Sequence, residues 1–121
     1  MGHSPTAVFG YGIRVPADEI DHDLICRNLM VLPEDTGDVD DIVQRVAIRC
    51  DLQYHWTYGD APCCLFHDGV ITVTDWEGSN IPAWQLSHIP SEFTLAKFHE
   101  ALRILGLPLG KLGYWLYSDN K

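Results

Sequence analysis

Cys63, Cys64 and His67 lie within five residues of one another in the stretch CCLFHDGVITV, and thiolates with an imidazole are the donors a zinc ion prefers. A closed structural site would need a fourth donor, which His88, Cys26 or Cys50 could supply. Structural sites usually separate paired cysteines by two to four residues, whereas neighbours on a strand point to opposite faces. The pair therefore reads as one buried and one half-exposed thiol, and a zinc-stabilised small domain stands as a rival reading.

His55-Trp56-Thr57 has the His-x-Ser/Thr form with which two-histidine phosphoesterases set a general base and a general acid. That chemistry needs a second copy across a cleft, and His3-Ser4-Pro5 does not provide it. A lone His55 beside Tyr54 suits instead a small-molecule or nucleotide binding surface on an open sheet face. GLPLGKL, Gly106 to Leu112, lacks the spacing and the Ser/Thr after lysine of a phosphate loop. GYGIRV lacks the third glycine of a dinucleotide fingerprint, and EDTGDVDD lacks the ligand order and closing glutamate of a calcium loop. No serine occupies a nucleophile elbow, so the chain reads as non-enzymatic, with no catalytic residue and no cofactor.

The carboxylates carry the strongest pattern. Asp18, Glu19, Asp21, Asp23, Glu34, Asp35, Asp38, Asp40 and Asp41 fall in one short span, with Arg27 the only Lys or Arg among them. Helix capping accounts for several, because acids favour the positive end of a helix. Glu34, Asp35, Asp38, Asp40 and Asp41 make an acidic surface suited to a basic protein partner, and Trp84 in a polar loop is a candidate anchor.

The elements that must position these groups follow from periodicity. Residues 6–15, TAVFGYGIRV, read as a first strand whose glycines admit a close backbone. ADEIDHDLICRNLM reads as a short amphipathic helix capped by Asp18, and Asp38 caps a second whose Val39, Ile42, Val43 and Val46 recur at helical spacing. From Ile48 to Tyr58 the period is two, which predicts a strand with Ile48, Cys50, Leu52, Tyr54, Trp56 and Tyr58 on the core face. Asp68-Gly69 is a preferred two-residue hairpin turn and predicts two strands around it. Ser91 caps a helix to Leu105 with Leu95, Phe98, Leu102 and Leu105 as its stripe, and YWLY, Tyr114 to Tyr117, closes the chain as a strand. The sum is an α+β domain over residues 1–121, ferredoxin-like or a related sandwich: a mainly antiparallel sheet, two to three helices on one face, the other face partly open.

A net charge of −9 with only eight Lys and Arg argues against direct nucleic-acid binding. No apolar run reaches membrane-spanning length, and the N-terminus has no secretory signal, so the expectation is a cytoplasmic protein whose four cysteines are reduced. A homodimer through an edge strand or Trp84 is compatible with the pattern.

FGYGIRV near the start, LGLP after the late helix and GYWLYSDN at the end resemble small uncharacterised phage and prophage accessory proteins. The resemblance covers the two ends and the order of elements. It implies an accessory product inside a bacterial host cell that binds and inhibits or modulates a host protein, and it carries over no catalytic residues.

Overall fold

The computed structural model describes residues 6–58, 61–75 and 88–119. β1 (Thr6–Pro16) opens the chain, followed by α1 (His22–Leu29), α2 (Val39–Cys50), β2 (Gln53–Thr57), β3 (Cys63–Asp75), α3 (Glu92–Leu105) and β4 (Leu112–Asp119). The strands form one sheet in the order β2-β3-β1-β4, every neighbouring pair antiparallel. The fold class is α+β, with the three described helices packed together.

Local chemistry sets the helix ends. Asp21, not Asp18, caps α1 by accepting the Leu24 N–H at 3.1 Å, while Asp18 lies in a 3-10 turn, Ala17–Glu19. The cap moves because Pro16 fixes extended backbone just before that turn, and Ile20 and Asp21 return to it before the helix begins. Asp38 caps α2 as expected, and Ser91 caps α3, which Gly106 ends in left-handed backbone at φ 69°. Asn28 of α1 then ties the end of α3 by donating to the Arg103 and Ile104 carbonyls at 3.2 and 3.0 Å.

Two expected elements are corrected. Helix α2 continues through Cys50, because Ile42, Val43, Val46, Ala47 and Cys50 complete one buried helical stripe. Ile48, expected in the core of a strand, is 72% exposed on the outer side of this helix. Asp51, in left-handed backbone at φ 55°, ends the helix, leaving only Gln53–Thr57 as strand.

Asp68-Gly69 is not a hairpin turn. β3 passes straight through it, and Asp68, Gly69 and Val70 bulge opposite the single residue Tyr11, since the register runs from Gly12↔His67 to Gly10↔Ile71. Gly69, at φ +97°, supplies the backbone conformation the bulge requires, and the Asp68 carboxylate accepts the Val70 N–H at 3.0 Å. The sheet thus has four strands where the hairpin would have made five. Gly12 is the close-approach glycine: a Cβ there would stand 1.9 Å from the Phe66 carbonyl oxygen.

The main core lies between the helices and one sheet face, where Ile13, Val15, Cys64 and Phe66 meet Ile25, Val43, Phe98 and Ile104. The opposite face is less open than expected, for Val8, Cys63, Leu65, Thr57 and His67 are all buried on it. There Arg14 lies over the Trp115 ring at 5.7 Å, and the Trp115 indole N–H donates to the Gly12 carbonyl at 3.0 Å. Trp115 itself is half-buried on this face. No described helix is long and apolar enough to cross a membrane.

Candidate functional site

The acidic segment is held by its own hydrogen bonds. After α1 a 3-10 turn, Pro33–Asp35, carries Glu34 and Asp35, and the Thr36 hydroxyl donates to the Pro33 carbonyl at 2.7 Å while meeting His22 Nε2 at 2.6 Å. Asp38 accepts the Asp41 N–H at 3.1 Å as the α2 cap. Asp41 accepts the Gly37 N–H at 2.8 Å and the Arg45 Nε–H at 3.0 Å; these two contacts, in that order, hold its carboxyl below the usual carboxylate range. Asp40 accepts the Trp56 indole N–H at 2.9 Å, fastening the start of α2 to β2.

Of the five carboxylates singled out in the sequence, Asp38, Asp40 and Asp41 therefore serve the architecture. Glu34 and Asp35 are exposed, and among the described residues no hydrogen bond or ion pair engages their side chains. The same holds for Asp18 and Asp23, whereas Glu19 pairs with Lys111 at 2.7 Å. Trp84 lies outside the described residues.

Beside this turn runs a groove of about 480 Å3 that the sequence did not disclose. Leu29, Val31 and Ile48 give it apolar walls, and Asp41, Gln44, Arg45 and Arg49 give it a polar lining. Arg45 joins groove to turn, because it also donates to the Asp35 carbonyl at 3.1 Å. Met30 (86% exposed) and Leu32 (58%) belong to the same link between α1 and α2, and Met30 holds left-handed backbone at φ 62°, a position that favours glycine or asparagine. The readable signal for this groove was the α2 stripe: once Cys50 belongs to the helix, Ile48 has to face outward.

The other sequence candidates are dispersed. Tyr54 stands opposite Phe66 on the helix side of the sheet, whereas His55 stands opposite Leu65 on the far side, so the two do not share a surface. Cys63 and Cys64 likewise point to opposite faces, with His67 on the face of Cys63. Both thiols are buried, correcting the expected half-exposed one: Cys63 lies on the far face, which is itself buried there. Burial pushes the Cys63 and Cys64 thiols up and takes Cys50 to about 11, which opposes the thiolate that metal binding or nucleophilic attack needs. Among the described residues no group of three or more His, Cys, Asp or Glu side chains could hold a metal ion.

Two further features went unread in the sequence. His88 Nε2 meets Asp68 at 3.1 Å, linking the bulge to the approach of α3. A polar pocket of about 290 Å3 lies nearby, lined by Asp51, Leu52, Gln53, Asp68, Thr94 and Lys97, and within it Lys97 pairs with Asp51 at 2.8 Å. Both depend on contacts between residues distant in sequence, which no local spacing announces. Comparison with protein-family models, with curated proteins and with solved structures gives no match for the chain.

Proposed function

We propose that this chain is a non-enzymatic accessory protein of the phage and prophage kind, acting in the bacterial cytoplasm by binding and inhibiting or modulating a host protein with a basic surface. The observation that carries the reading is the adjacency of the uncommitted Glu34 and Asp35 carboxylates to the groove walled by Leu29, Val31 and Ile48, the two being joined by Arg45. Interfaces draw affinity from a desolvated apolar centre, while charges around it steer the partner and set register. A basic partner would place an apolar side chain in the groove and Lys or Arg over the turn. The strand order, taken from the other edge as β4-β1-β3-β2 and antiparallel throughout, supports a ferredoxin-like sandwich with one extra helix between β1 and β2.

The test is a pull-down from bacterial lysate, followed by affinity measurement on the purified partner. The double substitution Glu34→Lys with Asp35→Lys, and separately Ile48→Asp, should each weaken binding tenfold or more, about 1.4 kcal/mol. Neither should lower the thermal midpoint appreciably, because all three side chains are exposed and, among the described residues, no hydrogen bond or ion pair engages the two carboxylates. Undiminished binding by both variants, or no partner retained at low salt, would refute the reading.

A further inference from the structure

Among the described residues the outer edge of β4 is left unpaired, a kind of edge that soluble proteins usually protect. Edge strands are ordinarily blunted by being short, by Lys or Pro, or by a bulge. β2, at the other edge, is five residues long. β4 runs eight residues in unbroken register against β1, and its stretch from Leu112 to Tyr117, LGYWLY, contains neither a charge nor a proline. Among the described residues no strand pairs with its outer side.

We infer that this edge is a homodimer interface, β4 pairing antiparallel with β4 of a second copy about a two-fold axis at Trp115. One register matches its exposed apolar residues. With Trp115 opposite Trp115 of the second copy, Tyr114 falls opposite Leu116, twice by symmetry. Among the described residues of the strand, Tyr114 and Leu116 are the exposed apolar side chains, at 44% and 55%, and directly opposed residues share a face of an antiparallel pair. Each would thus cover the other's apolar surface. Arg14 beside Trp115 sets a cation against the central aromatic pair.

A second copy is the occupant because the match is self-complementary: the strand supplies both members of the opposed Tyr114–Leu116 pair. Moving the axis by one residue would separate Tyr114 from Leu116. The acidic turn stays clear of this interface, since Asp40 ties the start of α2 to Trp56 on β2, the opposite edge of the sheet.

Sedimentation equilibrium over a dilution series of the full chain tests the inference, with Leu116→Lys as the blocking variant. The wild type should sediment as a concentration-dependent dimer, and the variant as a monomer with an unchanged circular dichroism spectrum. A second measurement fixes the register and does not depend on that variant: Trp115→Cys should cross-link to itself on mild oxidation, and Leu116→Cys should do so at least tenfold more slowly. A monomeric wild type at every concentration, a dimer that survives Leu116→Lys, or cross-linking that favours position 116 would each overturn the proposal.

Discussion

His67 is neutral at pH values where a solvent-exposed histidine takes up a proton. Burial on the far face of the sheet lowers its pKa from 6.5 to about 4, with neighbouring His55 adding to the effect and Asp68 opposing it. Its Nδ1 accepts the Gly69 N–H at 3.0 Å, so the proton of the neutral ring sits on Nε2 and the side chain holds the bulge in place. As pH falls, the unfolded chain binds the proton first. Stability from this site is therefore complete above about 6.5, drains as pH drops toward about 4, and stays lost below that. With solvent screening discounted, the loss amounts to roughly 2 kcal/mol. His67→Gln, which retains an acceptor but does not titrate, should flatten the decline of the urea midpoint between those pH values by about one proton's worth. An unchanged slope would show that His67 is protonated in the folded state. His67 was singled out from the sequence as a zinc donor; its role in the bulge was illegible there, because Asp68-Gly69 has the same composition whether it turns a hairpin or kinks a strand.

The elements were legible where one signal acted alone and misread where two overlapped. Asp38 with Val39, Ile42, Val43 and Val46, and Ser91 with Leu95, Phe98, Leu102 and Leu105, combine a cap with a helical stripe; both helices form with those caps, although Val39 is exposed, Leu95 is only half-buried and α2 runs on through Cys50. Over residues 48–52 an alternating pattern competes with the tail of the α2 stripe, and the helix wins because it buries Ala47 and Cys50 against α3 and the sheet. The acidic segment was visible as composition, and Asp38 was legible in it as the α2 cap. What no local spacing announced is that Asp40 accepts from Trp56 on β2, while among the described residues no hydrogen bond or ion pair engages the Glu34 side chain. Asp38→Ala should accordingly cost about 1 kcal/mol in urea-denaturation stability by stranding the Asp41 N–H at the first turn. Glu34→Ala should stay within about 0.5 kcal/mol of the wild type. Equal effects from the two would mean that the turn and the cap form one cooperative unit and that Glu34 is not free for a partner.

For the whole molecule, the two proposed contacts respond to salt in opposite senses, and this separates them without any substitution. The acidic turn would bind a partner of opposite charge, so salt screens an attraction and weakens the complex. Two copies meeting at β4 each carry −9, and the LGYWLY stretch between them is uncharged. Screening the net repulsion should therefore dominate, and salt should tighten the dimer. Because the β2 edges would lie at the far ends of a doubled sheet, seven strand spacings of about 4.8 Å put them roughly 34 Å apart, with one acidic turn near each end. A dimer would then engage an oligomeric basic host protein at two points, and avidity would make up part of the affinity that each contact loses to screening. Raising salt from low to physiological strength should therefore increase the dimer fraction of the free protein while reducing its affinity for a monovalent partner. The two trends can be followed on one preparation by sedimentation and by titration calorimetry. Self-association that falls with salt would assign the dimer contact to charged surface instead of the β4 edge, and partner binding that rises with salt would remove the acidic turn from the interface.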